Sequence, residues 1–128
     1  MLMREDHPLA GRSRIVPEEL AAYPLILPLR ERARAEILSW IGREEKDLKI
    51  PLSYTLLSNA ALLVEEGMGC AFCLDGALAI HSSPSLRFIP TDPEHTTRSV
   101  LVWKKNNLFS PAVSLFLQEI NMLRAGAR

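Results

Sequence analysis

Apolar residues follow two rhythms along this chain: short unbroken runs closed by proline or glycine, and stretches where they recur every three to four positions. The run Tyr23-Pro24-Leu25-Ile26-Leu27-Pro28 is of the first kind and predicts a buried strand. Residues 30–46, RERARAEILSWIGREEK, are of the second kind. Ala33, Ile37, Trp40 and Ile41 share one helical face, Arg32 and Glu36 form an i,i+4 pair on another, and Gly42 suits the C-cap. Ile50-Pro51 opens LSYTLL, whose alternation and Tyr/Thr content predict a strand. Ser58 or Asn59 can then N-cap a helix over AALLVEE, which Gly67 would end. Met68 to Leu74 reads as another short buried strand, and Gly76 to Ile80 as one helical turn. Leu86 to Pro90 and Ser99 to Trp103 predict two further strands, joined by the polar stretch Thr91 to Thr97. Ser110-Pro111 is a cap followed by proline at the first helical position. Val113, Phe116, Leu117, Ile120 and Leu123 follow at helical spacing. Strands and helices alternating in this way predict an α/β fold, a three-layer α/β/α sandwich with a mainly parallel sheet.

Bulk composition narrows the function. The 128 residues suffice for one domain with a core, and 48% hydrophobic with 23% charged residues is ordinary for a globular protein. Fifteen basic residues balance fifteen acidic ones, so no global field exists to hold a polyanion, and a nucleic-acid-binding role for this segment is disfavoured. No apolar run approaches the roughly 18 residues of a membrane helix. Arg4, Glu5 and Asp6 stand where a signal peptide would be apolar. Two cysteines make no disulfide framework. The expectation is a cytoplasmic protein without membrane contact.

The stretch Val64 to Cys73, VEEGMGCAFC, holds both a Gly-x-Gly and a Cys-x-x-Cys. A phosphate loop needs strand, glycines, then helix. Here the glycines follow a helix, whose C-terminal end carries partial negative charge, and Phe72 stands where the third glycine belongs. Cys70 and Cys73 fall in a predicted strand, where positions i and i+3 face opposite ways. They can neither pair nor chelate one metal easily, so both read as core residues. No nucleophile elbow and no His-Glu-x-x-His is present. His7 reads as part of an exposed turn and His81 as part of a loop, and no orienting partner is in view for either of them or for His95. Trp40 and Trp103 read as core. No catalytic residue, metal site or cofactor is expected.

One local feature carries ligand chemistry. Ser58-Asn59 opens a helix directly after a strand, and the loop Pro28-Leu29-Arg30 leaves the preceding strand on the same rim. Ligands of open α/β sheets collect there, where free N–H groups attract anions and Arg30 could meet a carboxylate. The same residues also read as an ordinary cap and a solvated arginine, and the sequence leaves both open.

The order of motifs resembles the effector-binding domain of LysR-type transcriptional regulators. Asp6-His7-Pro8-Leu9-Ala10 is similar to the family's "HPLA" junction, and Val16-Pro17-Glu18-Glu19-Leu20 to its "leDL" helix. Leu63 to Ala71, LVEEGMGCA, resembles "lVaaGlGia". Val102-Trp103-Lys104-Lys105 with Leu108-Phe109-Ser110-Pro111-Ala112 resembles the late strand and the "lspa" helix start. Cys73-Leu74-Asp75 departs from the family's "LP". The resemblance implies a periplasmic-binding-protein-like (type 2) fold. It also implies a division of the chain: residues 15–97 as the second subdomain, with 1–10 and 98–128 as crossing strands and C-terminal helix of the first. The implied function is sensing of a small organic effector, anionic in character, that controls the state of a DNA-bound oligomer. DNA contact would come only through a helix-turn-helix absent from this sequence. By position, the implied effector-binding residues are Pro28, Leu29, Arg30, Leu57, Ser58, Asn59 and Phe72, with Cys70 and Ala71 in the neighbouring strand. Val113, Phe116, Leu117 and Ile120, whose exposure forgoes roughly 1.5–3 kcal/mol each, would then be covered by the C-terminal helix docking elsewhere, either folding back or packing on another copy as an exchanged element of a homo-oligomer such as a dimer. A solute-binding module without a DNA role is the alternative. A small α/β enzyme would need an acid/base constellation that the sequence does not assemble.

Overall fold

The structure, a computed structural model, describes residues 1–76, 83–97, 100–105 and 108–126. These fall into two compact units, Met1–Thr96 and Thr97–Arg128. The first unit contains β1 (Leu2–Arg4), α1 (Pro17–Leu20), β2 (Leu25–Pro28), α2 (Glu31–Ile41), a 3-10 turn (Glu45–Asp47), β3 (Leu52–Tyr54), α3 (Leu57–Glu65), β4 (Cys70–Ala71) and β5 (Leu86–Phe88). The second contains α4 (Pro111–Gly126).

The strands form one sheet in the order β3-β2-β4-β1-β5. β2 pairs in parallel with β3 on one side and β4 on the other, with Ile26 opposite both Leu52 and Ala71. β1 runs antiparallel to β4 and β5, so it alone opposes the direction the other strands share. Side chains alternate across this sheet because successive Cβ atoms point to opposite faces. Met1, Met3, Leu25, Leu27, Cys70 and Phe72 enter one core with Leu20, Ile37 and Ile41 from α1 and α2. Leu2, Ile26 and Ala71 enter the other with Ala60, Ala61 and Val64 from α3. Helices cover both faces, and the observed architecture is an α/β/α sandwich on a mixed sheet, in which four of the five strands share one direction.

Local signals act where expected. Gly42 closes α2 at φ 68°, and its N–H donates to the Leu38 carbonyl at 2.9 Å. Arg32 meets Glu36 at 3.3 Å. Ser110 Oγ accepts the Val113 N–H at 3.4 Å at the start of α4. Cys70 and Cys73 lie on opposite faces, one in each core region.

Several elements differ from expectation. The strand expected over Met68 to Leu74 is confined to Cys70–Ala71. Among residues 100–103 of the expected strand Ser99 to Trp103 there is no strand. Extended backbone needs a ladder partner for its N–H and C=O groups, and no described strand pairs with it. Val100 and Val102 are exposed there. Trp103, expected in a core, is 58% exposed and meets Phe109 edge-on. Ser99 and the helical turn expected at 77–80 lie outside the described residues, as does His81.

Gly69 sets the spacing between β2 and β4. Its φ of 152° and its approach to Pro24 leave no room for a side chain, since a Cβ would stand 2.7 Å from the Pro24 carbonyl oxygen and 3.3 Å from Ile26 Cγ1. The neighbouring Cys70 N–H donates to that same oxygen at 2.9 Å. Gly69→Ala is therefore expected to cost about 1–3 kcal/mol in urea unfolding, through strain and a forced separation of the strands. Gly11→Ala, with nothing within 4 Å of its Cβ, is expected to change stability by less than about 0.5 kcal/mol.

Candidate functional site

Parallel pairing of β3, β2 and β4 brings their carboxyl ends side by side. Pro28 ends β2 buried and opposite Tyr54, and the Leu29 N–H donates to the Tyr54 carbonyl at 2.8 Å. Leu29 then projects from the rim, 60% exposed. Arg30 occupies the N-cap of α2 with extended backbone and no side-chain cap bond. Its carbonyl accepts the Arg34 N–H at 2.9 Å, and the residue is exposed. Among the described residues Arg30 makes no ion pair.

The start of α3 lies beside it. The N-cap is Leu56 rather than the expected Ser58 or Asn59, and no side chain caps the helix. Leu57 packs against the core on the α3 face with Leu52 and Tyr54, and this burial pulls the helical start two residues forward. Ser58 and Asn59 thus fall in the first turn, half-buried and exposed respectively. The first N–H groups of a helix have no acceptor within it, and the partial positive charge of its dipole is greatest there. Two such helix starts, those of α2 and α3, face this rim.

Phe72 follows β4. Its ring turns into the core and meets Trp40 edge-on at 5.8 Å, so what it brings toward the rim is its carbonyl. That carbonyl accepts the Tyr54 hydroxyl at 2.6 Å. Tyr54 therefore ties the end of β3 to the end of β4 across β2. Burial pushes its phenol pKa up to about 12, so the hydroxyl stays protonated and keeps donating.

Sequence reasoning missed two residues of this rim. Tyr54 is one; its position at a strand end was visible, its reach was not. The other is Arg34, one turn into α2, with a side chain only 16% exposed. Its guanidinium donates to Ser53 Oγ at 2.9 Å and approaches the Pro28 carbonyl at 3.5 Å. Glu45 takes the remaining face through both carboxylate oxygens. This hydrogen bonding holds the Glu45 carboxyl below its ordinary value and raises the Arg34 guanidinium. Arg34 is a brace between β2, β3 and the turn after α2, whereas Arg30 is the cation presented to solvent.

The other titratable candidates are placed as follows. His7, expected in an exposed turn, is half-buried. Its ring packs on Tyr23 at 4.6 Å, and its Nε2 lies 3.4 Å from Cys70 Sγ. The element that receives it is 63 residues away in sequence, so no local pattern reveals the contact. Burial pushes Cys70 up to about 11 and raises Cys73, so both are neutral thiols at physiological pH. Trp40 donates from Nε1 to the Pro93 carbonyl at 3.0 Å. It lines an open groove of about 500 Å³ on the outer side of α2, with Arg32, Glu36, Ser39 and His95. No group of three His, Cys, Asp or Glu among the described residues could hold a metal ion.

The LysR substrate binding domain family model matches residues 1–124. No curated protein matches the chain. Among solved structures, the chain is similar to HinK, a LysR family transcriptional regulator from Pseudomonas aeruginosa. The two share 20% identity at a TM-score of 0.69 over 91% of this chain and 41% of that one. It is also similar to the CcmR regulatory domain from Synechocystis PCC6803, in complex with 2-PG, at 19% identity and a TM-score of 0.71 over 95% of this chain and 60% of that one. The reduced OxyR regulatory domain from Pseudomonas aeruginosa aligns at 22% identity and a TM-score of 0.54, over 70% and 44% respectively. These likenesses concern the fold, and this chain spans 41% and 60% of the length of the first two. With the family model matched along almost its whole length, the chain belongs to the LysR substrate-binding domain family.

Proposed function

We propose that this chain is the effector-sensing part of a LysR-type transcriptional regulator, and that it holds a small anionic organic molecule at the rim formed by β2, β3 and β4. The observation that carries the reading is the convergence of two uncapped helix starts and one exposed arginine on a single sheet rim. Leu57 and Ser58 offer N–H donors, Ser58 and Asn59 offer side-chain donors while the Asn59 N–H is given to the Leu56 carbonyl at 3.1 Å, and Arg30 offers charge. Leu29 offers an exposed apolar side chain beside them, and Pro28 and Phe72 support the rim from beneath, Phe72 through the carbonyl that the Tyr54 hydroxyl holds. These groups bind and orient; the site works by differential affinity for two arrangements of the protein, not by bond-making. DNA contact would rest with a segment outside this sequence. No helix among the described residues is long and apolar enough to cross a membrane, which accords with a cytoplasmic regulator. The exposed Val113 and Phe116 on α4 accord with a homo-oligomer in which this helix packs on another copy.

Titration calorimetry on the full-length gene product tests the site, with 2-PG as first probe beside a panel of small carboxylates and phosphates. Arg30→Ala and Ser58→Ala are each expected to weaken the binding acid by about tenfold or more, roughly 1.4 kcal/mol or above, with no change in thermal midpoint. Binding that survives both substitutions unaltered contradicts the reading. Tyr54→Phe should behave differently. It leaves the Phe72 carbonyl without its donor and is expected to cost about 1–2 kcal/mol of stability in urea unfolding, with a smaller loss of affinity.

A further inference from the structure

His7 follows β1 and opens a chain of turns: its N–H donates to the Arg4 carbonyl at 3.1 Å, its carbonyl accepts the Ala10 N–H at 2.8 Å, and Arg12 N–H reaches the Leu9 carbonyl at 3.0 Å. The imidazole closes the same turn, since Nδ1 accepts the Leu9 N–H at 3.2 Å. A ring nitrogen that accepts carries no proton, so the single proton of the neutral ring sits on Nε2. Nε2 points at Cys70 Sγ, 3.4 Å away in β4, and the ring stands edge-on to Tyr23 at 4.6 Å. Both nitrogens are thus committed while the ring is neutral. A second proton could go only onto Nδ1, where it would oppose the Leu9 N–H donor to donor.

From this geometry we propose that His7 is a pH-operated latch: neutral, it fastens residues 5–12 to Tyr23 and to Cys70 of the central sheet, and protonated, it lets them go. The groups facing the ring account for the direction. Burial holds the Cys70 thiol neutral, and Tyr23 meets the imidazole through its ring. The nearby charge is Asp6, which favours the protonated ring but is already paired with Arg4 at 2.6 Å. Burial outweighs it and lowers the His7 pKa from its ordinary 6.5. A base whose pKa is lowered in the closed state closes most firmly above its free value. Closure is therefore complete above about pH 6.5, weakens as the pH falls through that value, and stops changing below the lowered pKa. Each unit of lowering corresponds to a tenfold change in the closed-to-open ratio. The inference is independent of effector binding.

Heteronuclear NMR of the imidazole nitrogens in the unaltered protein gives the first test. The expected result is the Nε2–H tautomer at pH 7.5 and a His7 titration below 6.5. The Nδ1–H tautomer, or a titration at or above 6.5, overturns the proposal. Amide exchange corrected for intrinsic rates gives the second. Protection at Leu9 and Arg12 is expected to fall between pH 7.5 and pH 5 by at least threefold more than at Ile26 in the core. In His7→Asn, whose side-chain oxygen can accept the Leu9 N–H without titrating, that excess loss is expected to vanish. Its persistence in His7→Asn overturns the latch. If His7→Asn fails to fold, the tautomer and titration of the unaltered protein decide the matter alone.

Discussion

Everything in the first unit depends on the parallel ladder that places β2 between β3 and β4. Its backbone groups are paired on both edges, and Leu25, Ile26, Leu27 and Pro28 are all buried. Parallel strands demand crossover connections on the faces of the sheet, and here α2 and α3 provide them. The same demand fixes where each helix must start, directly beyond the strand that precedes it. A rim with two helix N-termini is thus a consequence of the topology before any side chain is chosen. Side chains then decide what the rim does. Leaving both starts uncapped keeps their N–H groups open, and placing arginine at the α2 N-cap sets a cation beside them.

The supporting interactions have a common logic. Tyr54 spans from β3 to β4, and Arg34 spans from β2 to β3 while Glu45 holds its far side. Each joins elements that backbone hydrogen bonds already align, at the end where the ladder stops and those bonds run out. The ligand role proposed for this rim would draw on that rigidity, because binding energy spent on ordering loose loops is lost to affinity. Arg34 is mostly covered and hydrogen-bonded on three sides, while Arg30 stands free, so two arginines one helical turn apart serve different ends.

Much of this was legible in the sequence, and the pattern of success is physical. Features fixed by near neighbours came through: the αL glycine at 42, the Arg32–Glu36 pair, the Ser110-Pro111 helix start, the opposite facing of Cys70 and Cys73. The strand-helix alternation of residues 25–71 came through as well, because parallel strands buried on both faces read as short apolar runs. Features fixed by distant partners did not. The cap of α3 moved to Leu56 because Leu57 found a core to enter. Val100 to Trp103 has a strand's composition and lacks a strand's neighbour. The rim was located from topology and the family resemblance, but Tyr54 and Arg34 emerged only when the strand ends were seen side by side. His7 is the extreme case, since its partners, Tyr23 and Cys70, lie on other elements.

The central claim is that the carboxyl ends of β2, β3 and β4 gather the anion-binding groups of this chain. Backbone NMR on the full-length gene product, titrated with the acid that binds it, tests this most directly. The account expects the largest amide shifts at Leu29, Arg30, Leu57 and Ser58, falling away along α2 and α3. Shifts centred instead on Trp40 and His95 in the outer groove of α2, with the rim silent, would contradict it.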